Sequence, residues 1–286
     1  MSIRTVLVPV RGDGKGEGVL DHAVALATPF SAHIDVLHCQ SRAADLLPYS
    51  TLITAAMRQT ILDAAVTASF DEAERLQRLF SDYLASRKID LLDKPPATAG
   101  RVSAAWRIVE GHQPSVVAVR GRLADVIAVA QPDPSGPGAA TLEAALLETG
   151  RLVLMCPTTA PQSIGRHVTI GWNGSAESAR AVAAGLPILE VAETITVLAA
   201  PEDAHDELSV EDLVRHLGWH GISVDTRTID VPGKKIGQAL LAESKALGAD
   251  VLLIGGYGHS RRRELVMGGV TRHIIEHGDI PVLMVH

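Results

Sequence analysis

The chain has 286 residues, room for one large domain or for two of about 140 residues each. With 47% hydrophobic, 21% charged and 3% aromatic residues, its core must come from Val, Leu, Ile and Ala, as suits strands buried on both faces beneath Ala-rich helices. A net charge of -7 argues against a general nucleic-acid surface, which needs clustered Lys and Arg, and two cysteines, Cys39 and Cys156, make neither a disulfide framework nor a zinc knuckle.

No apolar stretch approaches the ~20 residues of a membrane span. Met1 to Thr5 run straight into Val6, Leu7 and Val8 without a basic leader. The expectation is a cytoplasmic protein with buried, reduced thiols.

Along the chain, short apolar runs alternate with helical patterns. Thr5–Gly12 and His33–Leu37 read as strands. Residues 51–88 form a long polar–apolar helical pattern with Leu76, Leu79, Phe80, Tyr83 and Leu84 on one stripe. Ala124–Ala130 is a further strand. Gln131–Gly138 is then punctuated by Pro132, Pro134 and Pro137, which lack N–H donors. Leu152–Met155 closes this part, and the turn-rich segment Thr158–Gly165 reads as a linker. The second part predicts strands over 167–173, 193–199, 222–229, 250–255 and 281–285, with helices over 176–190, 208–218, 235–247 and 269–277.

The two parts are copies of each other. Thr5–Gly12 matches His167–Gly174, offset by 162 residues, and His33–Leu37 matches Thr194–Leu198, offset by 161. Ala124–Ala130 matches Ala249–Gly255 at 125, and Leu152–Met155 matches Pro281–Met284 at 129. Four matches in one order indicate duplication. The fall from 161 to 125 places 36 extra residues in the first copy, around 51–88. The expected domains are therefore 1–158, with the long helical segment, and 166–286. Strand–helix alternation calls for right-handed crossovers and parallel sheets.

The sharpest local feature is Gly255-x2-Gly258-x9-Gly268, followed by Gly269, Val270 and Thr271. It follows a buried strand and opens a helix. Glycines there let main-chain N–H groups approach an anion, and the helix start adds unpaired donors. The alternative, that the glycines only shape a strand-to-helix turn, is the weaker reading because ligands in open parallel sheets sit beyond the strands' carboxyl ends.

This spacing resembles the signature of the universal stress protein family, Gly-x2-Gly-x9-Gly followed by Ser or Thr. Ile170–Ser175 resembles that family's first strand, usually ending Asp-Gly-Ser, and Ile280–His286 its closing strand. The whole chain resembles a tandem member. The resemblance implies two tandem open five-stranded parallel α/β sheets, strand order 3-2-1-4-5, with helices on both faces. It further implies a non-catalytic stress-adaptation protein, with ATP in the C-terminal half only and no metal. Carried over by position, the phosphate residues are Gly255, Gly258, His259, Gly268, Gly269 and Val270. Adenosine is placed near Gly171, Trp172, Asn173 and Val197. Gly269 stands where the family has Ser or Thr, and Asn173 where it has Asp. Ser260, Thr271 or Arg261–Arg263 are nearby candidates for phosphate contacts. In the first copy Arg11 takes the Asp position and prolines interrupt the loop, so no nucleotide is expected there in this mode.

The family also implies pairing of the last strands, so Leu152–Cys156 and Val282–His286 are expected to join within one chain as an internal pseudo-dimer. A homodimer of whole chains stays open. So do two other functions: slow ATP hydrolysis, or nucleotidyl or phosphoryl transfer, at the same loop; and an interaction module with vestigial pockets. Asp125 and Asp250, just ahead of equivalent strands, read as structural. His216 with His220, and His273 with His277, share helix faces but lack a third ligand at a metal spacing.

Overall fold

A computed structural model describes residues 2–40, 54–95, 100–133, 138–201, 208–231, 235–256 and 269–286. Among these the first half contains β1 (Thr5–Val10), α1 (Gly16–Ala27), β2 (His33–Gln40), α2 (Ala55–Arg87), β3 (Asp90–Leu91), β4 (Ser103–Glu110), α3 (Gln113–Arg120), β5 (Val126–Ala130), α4 (Gly138–Glu148) and β6 (Leu152–Cys156). The second contains β7 (His167–Gly171), α5 (Ala176–Leu189), β8 (Thr194–Ala199), α6 (Val210–Trp219), β9 (Asp225–Thr228), α7 (Ile236–Ala246), β10 (Val251–Gly255), α8 (Gly269–His277) and β11 (Val282–Val285).

The strands form one sheet in the order β3-β4-β2-β1-β5-β6-β11-β10-β7-β8-β9. Within each half the five repeated strands run parallel in the order 3-2-1-4-5. The two tandem sheets count as one because of the seam expected between their last strands: β6 and β11 pair antiparallel, with Val282 opposite Met155 and Met284 opposite Val153. Both are last strands with every residue buried. Pairing them satisfies two rows of main-chain donors and acceptors that would otherwise be stranded at apolar edges. The short β3, paired with β4, is a departure from the five-strand expectation.

The core lies in two layers, one on each face. Val6, Val8 and Val10 of β1 pack with α1 and the end of α2. Leu7, one residue out of phase, joins the layer of α3, α4, α7 and α8. The 36-residue excess resolves as α2, which has 33 residues against 10 in α6. It docks through Ala73, Leu76, Phe80, Tyr83 and Leu84, while Leu79 is exposed. Tyr83 and Arg87 both donate to Asp21 Oδ1 of α1, at 2.8 and 2.7 Å. No helix among the described residues is long and apolar enough to cross a membrane.

Asp125 and Asp250 perform the same task in the two halves. Asp125 Oδ2 accepts from the main-chain N–H groups of Arg4 and Thr5 at 2.8 and 2.9 Å. The Asp250 carboxylate accepts from Ser163 Oγ and from the N–H groups of Gly165, Arg166 and His167, at 2.7–3.2 Å. Each carboxylate clamps the entry into the first strand of its half, so both sit at the sheet edge opposite the candidate site.

Candidate functional site

Several loops converge at the carboxyl edge of the second half's strands. β7 ends at Gly171, and Trp172, Asn173 and Gly174 lead into α5. Asn173 Oδ1 accepts from Ser175 N at 3.2 Å, a side-chain-closed turn that serves Asn as well as Asp. Ser175 then caps α5 by accepting from Ser178 N at 3.2 Å. Gly174 has φ +73°, and a Cβ there would stand 2.9 Å from the Leu208 carbonyl oxygen, so the turn requires glycine. Trp172 is fixed twice: its N–H bonds Leu198 O at 2.9 Å and its indole N–H bonds Leu208 O at 3.2 Å.

Between these loops lies a cavity of about 240 Å³. It sits where the strand order reverses, between β7 and β10, the switch point at which open α/β sheets bind ligands. Leu198, Ala200, Ile229 and Leu240 form its apolar wall. The first turns of α5 and α8 reach it through Ser175, Glu177 and Gly269–Thr271, and both turns carry helix-start N–H groups and the positive end of the dipole. Glu177 lines it as a carboxylate and pairs with Arg180 at 3.6 Å.

Of the ten residues proposed from sequence, the cavity brings together Gly171, Trp172, Asn173, Gly255, Gly269 and Val270. Val197 is fully buried in the opposite core layer; Leu198, of the other strand parity, faces the cavity instead. Gly258, His259 and Gly268 lie outside the described residues, as do Ser260 and Arg261–Arg263. The glycines also differ in why they are glycine. Added Cβ atoms at Gly255 and Gly171 would meet Glu177 C at 2.6 Å and Ile254 Cγ2 at 2.9 Å, whereas one at Gly269 would meet nothing within 4 Å. Sequence reasoning missed Leu198, Ala200, Ile229, Ile236 and Leu240.

In the first half the equivalent space is filled. Gln113 opens α3 as Ile236 opens α7. Its side chain donates to Val10 O and accepts from Thr141 Oγ1, both at 3.3 Å. Lys15 Nζ reaches Gln131 O at 3.1 Å and Asp133 Oδ1 at 2.8 Å. The space left beside Arg11, Val129 and Gly138 measures about 10 Å³. Pro132 contributes, its Cα 3.3 Å from the Cβ position of Gly138; Pro134 and Pro137 lie outside the described residues.

The histidine pairs are in contact: His273 and His277 stack at a ring separation of 4.4 Å, and His216 and His220 meet edge-on at 4.9 Å. Desolvation, then His277 and Lys235, holds His273 below the usual imidazole range. Among the described residues no group of three or more His, Cys, Asp or Glu side chains is placed to hold a metal ion.

Fold and site together define a doubly wound α/β protein with a cavity at its topological switch point. Residues 166–286 match the model of the universal stress protein family, and it is this half that is similar to that family. Among solved structures, a universal stress protein from Archaeoglobus fulgidus DSM 4304 superposes with TM-score 0.71 at 14% identity, covering 98% of this chain and 97% of that one. A functionally unknown protein from Pseudomonas aeruginosa PAO1 gives 0.52 at 16% identity, covering 99% and 92%. At these identities the likeness is one of fold, and it extends over both halves. Comparison with curated proteins gives no match.

Proposed function

We propose that this is a tandem, non-catalytic stress-adaptation protein whose C-terminal half holds an adenine nucleotide, ATP in the first instance. The observation that carries the reading is the cavity at the switch point, where two helix starts and six of the candidate residues meet around an apolar wall. At about 240 Å³ it falls just under the range of about 300–1,000 Å³ usual for small-molecule sites, so it suits the nucleoside, with the phosphates leaving along Gly269–Thr271. Adenine lies against Leu198, Ala200 and Leu240. Asn173 has its Oδ1 engaged by Ser175, which leaves its amide N–H₂ to donate to ribose or phosphate.

Mass spectrometry of small molecules released from the purified protein, with a thermal shift in excess ATP, tests this. A nucleotide at 100 times its Kd adds about 2.7 kcal/mol of stability, a rise in Tm of several degrees. An empty protein whose melting point ATP does not move contradicts it.

A further inference from the structure

The N-terminal half contains a cavity of about 340 Å³ that is not the counterpart of the nucleotide cavity. The counterpart is the space closed by Gln113 and Thr141, whereas this cavity lies on the other face of the sheet, against Val10 and Val36 and beneath α2. Two differences between the repeats create it. Val10 stands at the end of β1 where Trp172 follows β7, and Trp172, only 5% exposed, fills its own layer with an indole tied to Leu208. Valine leaves that room unfilled by any of the described residues. In addition, α2 runs far longer than α6, so Leu76, Leu79 and Phe80 wall in the space, with Trp106 of β4 packed 5.4 Å from Phe80.

The walls are apolar, and one end is cationic. Arg75 lines the cavity with Nη2 3.3 Å from the Cβ position of Gly12, and it makes no ion pair among the described residues. Arg11, also lining it, reaches Asp13 at only 3.7 Å. Gly14 and Gly16 leave bare main chain at this end, where α1 starts without a side-chain cap. The Glu72 carboxylate lies over Gly12. Glu17 and Asp82 stand at the rim beside Tyr83, and Asp82 is about 10 Å along α2 from Arg75 at 1.5 Å per residue. Among the described residues the Arg75 guanidinium makes no ion pair, and neither do the carboxylates of Glu72, which shares its end of the cavity, and of Glu17 and Asp82 at the other.

We propose that this cavity is a second ligand site, which takes a compact apolar molecule bearing one acidic group. The body, an aryl system in the best-fitting case, lies against Phe80, Trp106 and Leu79, and the acid faces Arg75. The site is independent of the nucleotide reading, because it uses the other half and the other face.

Calorimetric titration of the full chain with 2-naphthoate and with neutral 2-naphthamide tests the proposal. Saturable 1:1 binding of the acid is expected, at least fivefold tighter than the amide, with the difference lost in Arg75→Gln. Val10→Trp, which installs the residue of the other half, is expected to abolish binding while leaving ATP titration unchanged. Should Val10→Trp fail to fold, Leu79→Asp replaces it: the position is 54% exposed, and a carboxylate at the mouth is expected to weaken the acid at least tenfold. Absence of saturable binding, equal affinity for acid and amide, or full binding in the folded Val10→Trp or Leu79→Asp protein overturns the proposal.

Discussion

Gly255 is pressed against Glu177: a methyl group on its Cα would stand 2.6 Å from the Glu177 carbonyl carbon and equally close to Ser178 N. The end of β10 therefore touches the main chain of α5, and the first glycine of the loop motif is needed for packing whether or not a ligand is bound. Gly255→Ala must push α5 off the sheet, at a cost of about 1–3 kcal/mol for overpacking. Gly269→Ala, in open space, should shift stability by less than about 1 kcal/mol. Urea unfolding of the two variants checks the contrast.

The clamp at Asp250 predicts a larger loss. Asp250→Ala strands three main-chain N–H groups and the Ser163 hydroxyl. Charge-assisted bonds of this kind make the change cost about 2–4 kcal/mol. Asp250→Asn, which keeps one acceptor oxygen, should recover part of it. Equal unfolding midpoints for wild type and Asp250→Ala would remove the clamp from the account.

Stability should fall as pH drops below the ordinary imidazole range. His22 is fully buried on α1, with Nδ1 2.6 Å from Gly18 O and Nε2 without a partner among the described residues. Burial holds its pKa down, as it does for His33 and His38. These rings stay neutral in the folded chain while the unfolded chain takes up protons near 6.5, so the stability they contribute is present above that pH and is lost below it. Thermal unfolding between pH 7.5 and 5.0 should show a falling Tm, with a shallower fall in His22→Gln.

Much of the architecture was legible from the chain. Strand positions in the second half follow the apolar runs to within a few residues, and the 36-residue offset located α2 because an insertion must surface between conserved-order strands. The seam was legible only through the family resemblance, which implied that Leu152–Cys156 and Val282–His286 pair; a last strand by itself reads the same whether its edge is free or paired. Val197 was misjudged for a local reason, since a buried strand carries apolar residues on both faces and periodicity does not say which face holds the cavity. Closure of the first half depends on Gln113, 103 residues from the carbonyl it meets. No local pattern carries such a contact.

The central claim, an adenine nucleotide in the C-terminal half, is tested most directly by isothermal titration of the full chain with ATP. Gly269→Asp should be run alongside it, because it sets a carboxylate at the start of α8 without filling packed space. One nucleotide per chain is expected for the wild type, and at least tenfold weaker binding for Gly269→Asp. Two nucleotides per chain, or unchanged affinity in the variant, would contradict it.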